Sequence, residues 1–431
     1  MSPLGISATF PMVRLASAAR RVAPVEGPSR FTLALESIGS GTGQLVEDPW
    51  VESSTPGNLY EPDDILYGKL RPYLAKVWVA DRAGNYVGDF IRITARSSFD
   101  SQFLKYVILT PSFISEASAG SVGSKMPRTE WDTLKQIQIP APRLEQQQQI
   151  ADYLDHETAE IDSFIEGQQR LQALFDERIL SSITKLTSGS DRRTAQTGSF
   201  CQPVLPPDWT LARVKSVSTM VTDGAHISPE TEEGVFPFVS TRDVKSGNID
   251  TTNCLRTSKE TAAYMIRTGC KPVPGDILFS KDGTVGEVAV VTDGTPFVVA
   301  SSLVIIRPRP DLITSDFLSR SLQSKSVKDQ ARSFTKGAGL PRISVANVSR
   351  LEIPVPSLAC QKEITDSLDL EILKTQEIIG DTDLLIKLAQ ERRAALITAA
   401  VTGQIDVTAK NKPAAEQLED DVAQGLHREY A

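Results

Sequence analysis

Histidine and cysteine are nearly missing from this chain, which has three of the first (His156, His226, His427) and four of the second (Cys201, Cys254, Cys270, Cys360) in 431 residues. The cysteines show neither metal-ligand spacing nor a disulfide framework, so a reducing, cytoplasmic setting is expected and no bound metal is. The histidines stand too far apart to suggest a Ser/His/Asp relay. No apolar run reaches about 18 residues, which argues against a membrane span. Met1 to Arg21 lacks the apolar block of a secretory leader. A short Asn/Asp-Pro-Pro-aromatic motif is missing too, since Pro206-Pro207-Asp208 has the wrong order. A clustered acidic set that would hold Mg²⁺ for nucleic-acid cleavage is not evident. Together these absences speak against a catalytic chain.

A global excess of positive charge is also lacking: the formal net charge is −8. Its distribution says more than its total. Residues 1–143 carry 15 Lys+Arg against 14 Asp+Glu, and residues 206–350 carry 18 against 15. The segments that follow are acidic, with 3 against 9 in residues 144–186 and 5 against 9 in residues 351–403. Two modules that grip nucleic acid, separated by segments kept for protein contacts, fit this pattern. A chain binding DNA along its whole length does not.

What the chain does have is a duplication. Ile139-Pro140-Ala141-Pro142-Arg143-Leu144 returns as Ile353-Pro354-Val355-Pro356-Ser357-Leu358. Counted from Pro127-Arg128 and Pro341-Arg342, 11 of 29 aligned positions are identical without a gap. The period, from position 139 to position 353, is far longer than a solenoid repeat, so each unit is of domain size.

Residues 1–143 read as a mixed α/β module, with short β-rich runs such as Ala75 to Ala80 and Asp89 to Thr94 and a short helix over Phe103 to Leu109. In Asp64-Ile65-Leu66-Tyr67-Gly68-Lys69-Leu70-Arg71-Pro72-Tyr73 a buried strand runs into a Gly-containing loop that presents Lys69, Arg71 and Tyr73. Its counterpart, Gly275 to Thr284, presents Lys281 and Thr284. Taken singly, each is also consistent with a strand and a solvated turn; matching lysines in both copies favour contact with phosphate or a base edge. The Gly-rich Ser118 to Arg128 and Ser333 to Arg342 add Lys125, Arg128, Lys336 and Arg342, where small residues let backbone N–H groups approach a phosphate. Neither has the G-x-x-x-x-G-K-S/T order of a P-loop. Gly39-Ser40-Gly41-Thr42-Gly43 is no better, with no clear strand before it and no helical pattern after it.

Past each Ile-Pro-x-Pro motif the apolar spacing becomes three-to-four, which predicts an amphipathic helix after each module. Leu154, Ile161, Ile165 and Phe175 mark the first stripe; Leu368, Ile379 and Ile386 mark the second. A break near Asp155-His156, with Asp155 as N-cap, is expected, leaving about 30 residues or a rod on the order of 45 Å. Residues 190–205 read as a linker, 206–350 as a second mixed module opened by Pro206-Pro207-Asp208-Trp209, with a helix over Thr314 to Gln330. Residues 351–407 make the second helical segment, and 408–431 read as a disordered tail. The fold class expected is α+β: two tandem modules and two long helices paired as an antiparallel coiled coil.

The layout, with the Asp64–Tyr73 segment, the paired Ile-Pro-x-Pro-x-Leu-x-x-Gln-x-x-Ile stretches and Pro206 to Trp209, resembles the specificity subunits of type I restriction–modification systems. The likeness runs from residue 1 to about 407. The resemblance implies that each module is a target recognition domain reading half of a split, asymmetric site on double-stranded DNA. It implies that the helices dock two methyltransferase subunits, with restriction (translocase) subunits joining the complex. No cofactor is then expected on this chain; S-adenosylmethionine, ATP and Mg would sit on the partners. Two departures stand out: the first module opens near Phe10-Pro11-Met12 without a Pro-Pro-Asp-Trp, and Cys360 replaces a glutamine at the second helix start. The competing reading is a scaffold that joins two protein-binding modules and never touches DNA.

Overall fold

The computed structural model describes residues 10–51, 56–227, 230, 234–292, 294–337, 339, 341–405 and 407. The proposed tail, 408–431, lies outside the described residues. Backbone contacts divide the chain into two units, one of residues 1–170 with 381–431 and the other of residues 171–380. Both boundaries fall inside a long helix.

In the first unit, a four-stranded antiparallel sheet has the order Ala19–Arg21, Phe90–Ala95, Ile65–Gly68, Val77–Val79. A smaller sheet joins Glu26–Gly27, Gly57–Tyr60, Gly84–Tyr86 and Thr32–Leu33. The strand Met12–Arg14 pairs with Gln138–Pro140 and so leads the chain from the module into the first long helix. The second unit repeats the plan with Ser218–Asp223, Leu303–Pro308, Ile277–Ser280 and Val288–Val290 in one sheet. Thr210–Arg213 pairs there with Glu352–Val355. The central strands are buried along their length and read ILYG and ILFS, which suits a strand covered on both faces.

An aspartate opens each central strand. Asp64, 2% exposed, takes Arg92 Nε at 2.6 Å, Thr94 Oγ1 at 2.6 Å and the amide of Glu61 at 2.8 Å. Asp276, 1% exposed, takes the fork of Arg307 at 2.7 and 2.8 Å and the amide of Val273 at 2.8 Å. A buried carboxylate needs such a set of donors to stay charged inside the protein.

The long helices are Leu144–Ser188 and Leu358–Thr402, 45 residues each. Both ends are shifted by the period of the sequence repeat. The expected break at Asp155 is not there, and the rod is about 68 Å rather than 45 Å. Asp155 does not cap a helix: it accepts from Lys105 Nζ at 3.0 Å and from Tyr106 Oη at 2.6 Å, tying the helix to the module before it. The predicted helix over Thr314 to Gln330 is two, Ser315–Gln323 and Lys325–Phe334, because Ser324 leaves helical geometry and its Oγ caps the second.

Within each unit the two helix segments run antiparallel. In the first, Arg393 forks onto Asp162 at 2.9 and 3.2 Å; in the second, Arg178 reaches Glu371 at 3.2 Å. Arg393 also donates to the carbonyls of Gly41 at 3.0 Å and Thr42 at 2.7 Å. That accounts for the Gly39–Gly43 loop. A phosphate cradle turns N–H groups outward, whereas this loop turns carbonyls onto a guanidinium.

The Ile-Pro-x-Pro motif works through a glutamine one turn into each helix. Gln147 is fully buried; its Oε1 accepts the amide of Asp100 at 2.8 Å, and its Nε2 donates to Pro142 O at 2.9 Å and Ser98 O at 3.2 Å. Gln361 does the same with the amide of Thr314 at 2.8 Å, Pro356 O at 2.9 Å and Leu312 O at 2.8 Å. Each clasp joins three segments: the proline turn, the helix start, and the N-terminus of a short helix in the module. Cys360, beside it, is only partly buried, as is its counterpart Gln146, and makes no part of the clasp.

The opening that the first module lacks is replaced in space. Register places Met12 against Pro140 and Leu211 against Pro354, so Phe10 stands where Trp209 stands in the second unit. Each aromatic packs on a left-handed glycine just past a long helix, Phe10 on Gly403 and Trp209 on Gly189. A Cβ on either glycine would lie within 3.2 Å of that ring.

Candidate nucleic-acid interface

In each unit the two loops singled out separately by sequence meet at one corner, stapled by backbone hydrogen bonds. After the strand Ile65–Gly68, the amide of Arg71 donates to Pro127 O at 2.7 Å and the amide of Thr129 to Lys69 O at 3.0 Å. Val122 and Arg128 exchange bonds of 2.8 and 2.9 Å, closing the Gly-rich loop on itself. The second unit repeats every step: Gly283 N to Pro341 O at 2.9 Å, Ile343 N to Lys281 O at 2.9 Å, and Lys336 with Arg342 at 3.0 and 2.9 Å. This places Lys69, Arg71, Tyr73, Lys125 and Arg128 together in one unit and Lys281, Thr284, Lys336 and Arg342 together in the other.

Their side chains are not equivalent. Arg128 is exposed, and its Nε and Nη2 rest on Asp89 at 3.1 and 2.8 Å. Arg342 forks onto Asp282 at 2.6 and 3.1 Å. Lys69 is half-buried between Glu130 at 3.4 Å and Asp89 at 3.9 Å. Lys281 is 7% exposed and bonded to Asp223, whose carboxylate also lies 3.0 Å from His226 Nε2. These four cations are engaged by the protein's own carboxylates. Arg71, Lys125 and Lys336 are exposed and have no side-chain partner among the described residues. Tyr73 is 54% exposed beside Arg71, and Thr284 is also exposed.

Arg71 carries a second peculiarity. Its backbone is left-handed, at φ 51° and ψ 65°, and its counterpart Gly283 is left-handed at φ 71°. For a residue with a Cβ this conformation costs on the order of 1–2 kcal/mol. The proline that follows pushes residue 71 toward extended backbone, which adds to the cost.

Two open depressions flank the second corner. One, of about 620 Å³, is lined by Ser240, Thr241, Arg242, Lys245, Asp282 and Thr284, among others. The other, of about 590 Å³, is lined by Phe334, Lys336, Gly337, Arg342, Ser344 and Asn347. Sequence reasoning missed Arg242, Lys245, His226 and Asn347. The signal for Lys245 was the turn Lys245-Ser246-Gly247-Asn248, whose two central residues are left-handed and close the hairpin Val244–Ile249. Among the described residues no group of three His, Cys, Asp or Glu could hold a metal. None of the described helices is long and apolar enough to cross a membrane.

Of the apolar stripe residues on the two helices expected to dock the partner subunits, Leu154, Ile161 and Leu368 are buried in the cores of their own units. They hold the helix to its module. Ile165, Phe175, Ile379 and Ile386 are only partly buried.

Comparison with known proteins decides the family. The type I restriction modification DNA specificity domain matches residues 64–172 and 206–381, about two-thirds of the chain. The chain belongs to this family. Among its curated relatives are the type I restriction enzyme StySPI specificity subunit of Salmonella potsdam, 23% identical over 216 residues, and the EcoKI specificity subunit of Escherichia coli K12, 23% identical over 211. The matches cover 48% and 47% of this chain and 45% and 44% of those proteins, so the chain spans about half the length of the curated relatives it matches. A solved chain from work on complex assembly and conformational transition of the type I R-M system aligns over 94% of this chain and 100% of its own, with a TM-score of 0.63 at 17% identity. At that identity the likeness speaks for the fold. Both family segments contain a corner loop after the central strand and an Ile-Pro-x-Pro junction, so the match covers the duplicated features described above.

Proposed function

We propose that the chain is the DNA-recognition subunit of a type I restriction–modification complex and performs no chemistry itself. Residues 1–143 and 206–350 are the two recognition domains, each taking one half of a split site on double-stranded DNA. Residues 144–189 and 351–407 are the spacer segments that recruit two methyltransferase subunits and, through them, restriction subunits. S-adenosylmethionine, ATP and Mg belong to those partners, and the assembly works in the cytoplasm.

One observation carries the reading. The same two-loop corner is built twice from segments far apart in sequence, and the cations left unpaired there are exposed. A structural corner would neutralise them, as it does Arg128, Arg342 and Lys281. The differences between the corners fit an asymmetric site. Unit 1 offers arginine, lysine and tyrosine; unit 2 offers lysine, threonine and an open depression with Arg242 and Lys245.

The test is DNA binding by the chain assembled with its methyltransferase, measured against salt. Phosphate contacts require log K to fall linearly with log[salt], and recognition requires a split motif to emerge from a pool of random duplexes. Binding indifferent to salt and sequence would leave the protein-only scaffold as the better account.

A further inference from the structure

We infer that Arg71 reads a guanine in the half-site taken by unit 1, a contact for which the equivalent position of unit 2, Gly283, has no side chain. The inference rests on the DNA-recognition reading and sharpens it at one residue.

Three observations carry it. Residue 71 sits where the fold asks for glycine: the backbone is left-handed, and the equivalent position in unit 2 is Gly283. The chain places arginine there at a cost to folding, immediately before Pro72, so the side chain is retained for something other than stability. The backbone is held from both sides, its N–H by Pro127 O at 2.7 Å and its C=O by the amide of Leu74 at 2.8 Å, so the side chain leaves from a fixed point.

The second observation is the state of the guanidinium. Arg128 and Arg342, the other arginines of the two corners, already have both prongs on a carboxylate. Arg71 is exposed and has no side-chain partner among the described residues, so its planar fork is free. A free arginine fork matches the O6 and N7 acceptors of guanine, the commonest specific base contact in the major groove. A lysine at the same place would supply charge without the fork.

The third observation is its setting. Lys125 is exposed across the staple and Tyr73 lies two residues on, both without a carboxylate partner among the described residues. Lys125 is placed to hold phosphate, which fixes register but carries no sequence information. That leaves discrimination to the residue with directional donors.

The experiment uses the full chain assembled with its methyltransferase, as wild type, R71G and R71K, selected against random duplexes, with a thermal melt of each. Wild type should enrich a split motif with a guanine at one position of one half. Both variants should lose that guanine alone, by roughly ten- to hundredfold in preference, and leave the other half intact. R71G should melt higher than wild type by about 2–4 °C, because relief of left-handed strain stabilises while the function is lost. The inference is overturned if either variant keeps the full motif, if affinity drops evenly with no position relaxed, or if R71G melts lower. If wild type itself enriches no motif, the DNA-recognition reading falls first, and that result is distinct from the others.

Discussion

Replacing Gln361 by alanine should cost the second unit about 3 kcal/mol, as three hydrogen bonds of a fully buried side chain are lost together. The side chain is fully buried and bonds Thr314 N, Pro356 O and Leu312 O. Each bond is worth roughly 1 kcal/mol net, and deletion leaves a backbone group without its partner. The Leu312 end lies nearer the surface, that residue being 37% exposed, which keeps the sum from rising higher. For a unit of this size that is a fall in Tm of about 6–12 °C. Circular dichroism melts of the full chain measure the loss, and amide exchange at Thr314 locates it. Q361E offers a second reading. The introduced carboxylate keeps the acceptor for Thr314 N but faces two carbonyl oxygens, so its protonation is favoured in the folded state. Its folded pKa is therefore raised, and stability should recover as pH falls, a response Q361A cannot show. The clasp would be refuted by a Q361A protein as stable as an ordinary surface variant, within about 0.5 kcal/mol of wild type. A Q361E protein that does not gain on acidification would refute it equally.

Three further outcomes are expected. D64N should lower the stability of the first unit by about 3 kcal/mol, because Arg92 loses its buried counter-charge and one of the two acceptor oxygens becomes a donor NH2, measured by urea denaturation. K125A and K336A should each weaken binding evenly across DNA sequences and reduce the salt slope by about one, read from anisotropy titrations in increasing KCl. Burial raises the pKa of Tyr60 to about 12 and drives those of Tyr67 and Tyr106 up as well, the last also through Asp155. Folding thus holds protons that the unfolded chain releases near pH 10, so stability is full below pH 10 and declines as pH rises above it. An absorbance titration at about 295 nm should show these three tyrosines ionising only as the protein unfolds, and early ionisation of all eight would contradict that.

The sequence made the architecture legible because the duplication repeats at the one place where register is rigid. A proline turn followed by a helix tolerates no gap, so the two helices keep a single spacing from first residue to last. It did not reveal that Asp155 lies mid-helix, since its partners Lys105 and Tyr106 are distant in sequence and meet it only on folding. The same holds for the candidate corner. That the loops were basic and repeated could be read; that Lys281 is buried on Asp223 could not. The strand loops are two residues out of step with the Ile-Pro-x-Pro motifs, so Arg71 aligns with Gly283 only through the matched Lys69 and Lys281. That both positions are left-handed could not be read. Phe10 escaped as the counterpart of Trp209 for a similar reason: nothing in the words around it resembles Pro-Pro-Asp-Trp.

The division of the chain has a consequence for its synthesis. Residues 171–380 form one unit without interruption, but the core of the other takes Ala389, Leu396, Ile397, Ala400 and Val401 from the second long helix. Ile161 belongs to that core too, more than two hundred residues upstream. At ~5–20 residues per second, the first-made module waits on the order of ten to fifty seconds for the helix that completes it. All of residues 171–380 are therefore made before the earlier unit can be completed, and until then its core lacks the apolar residues that the second helix supplies.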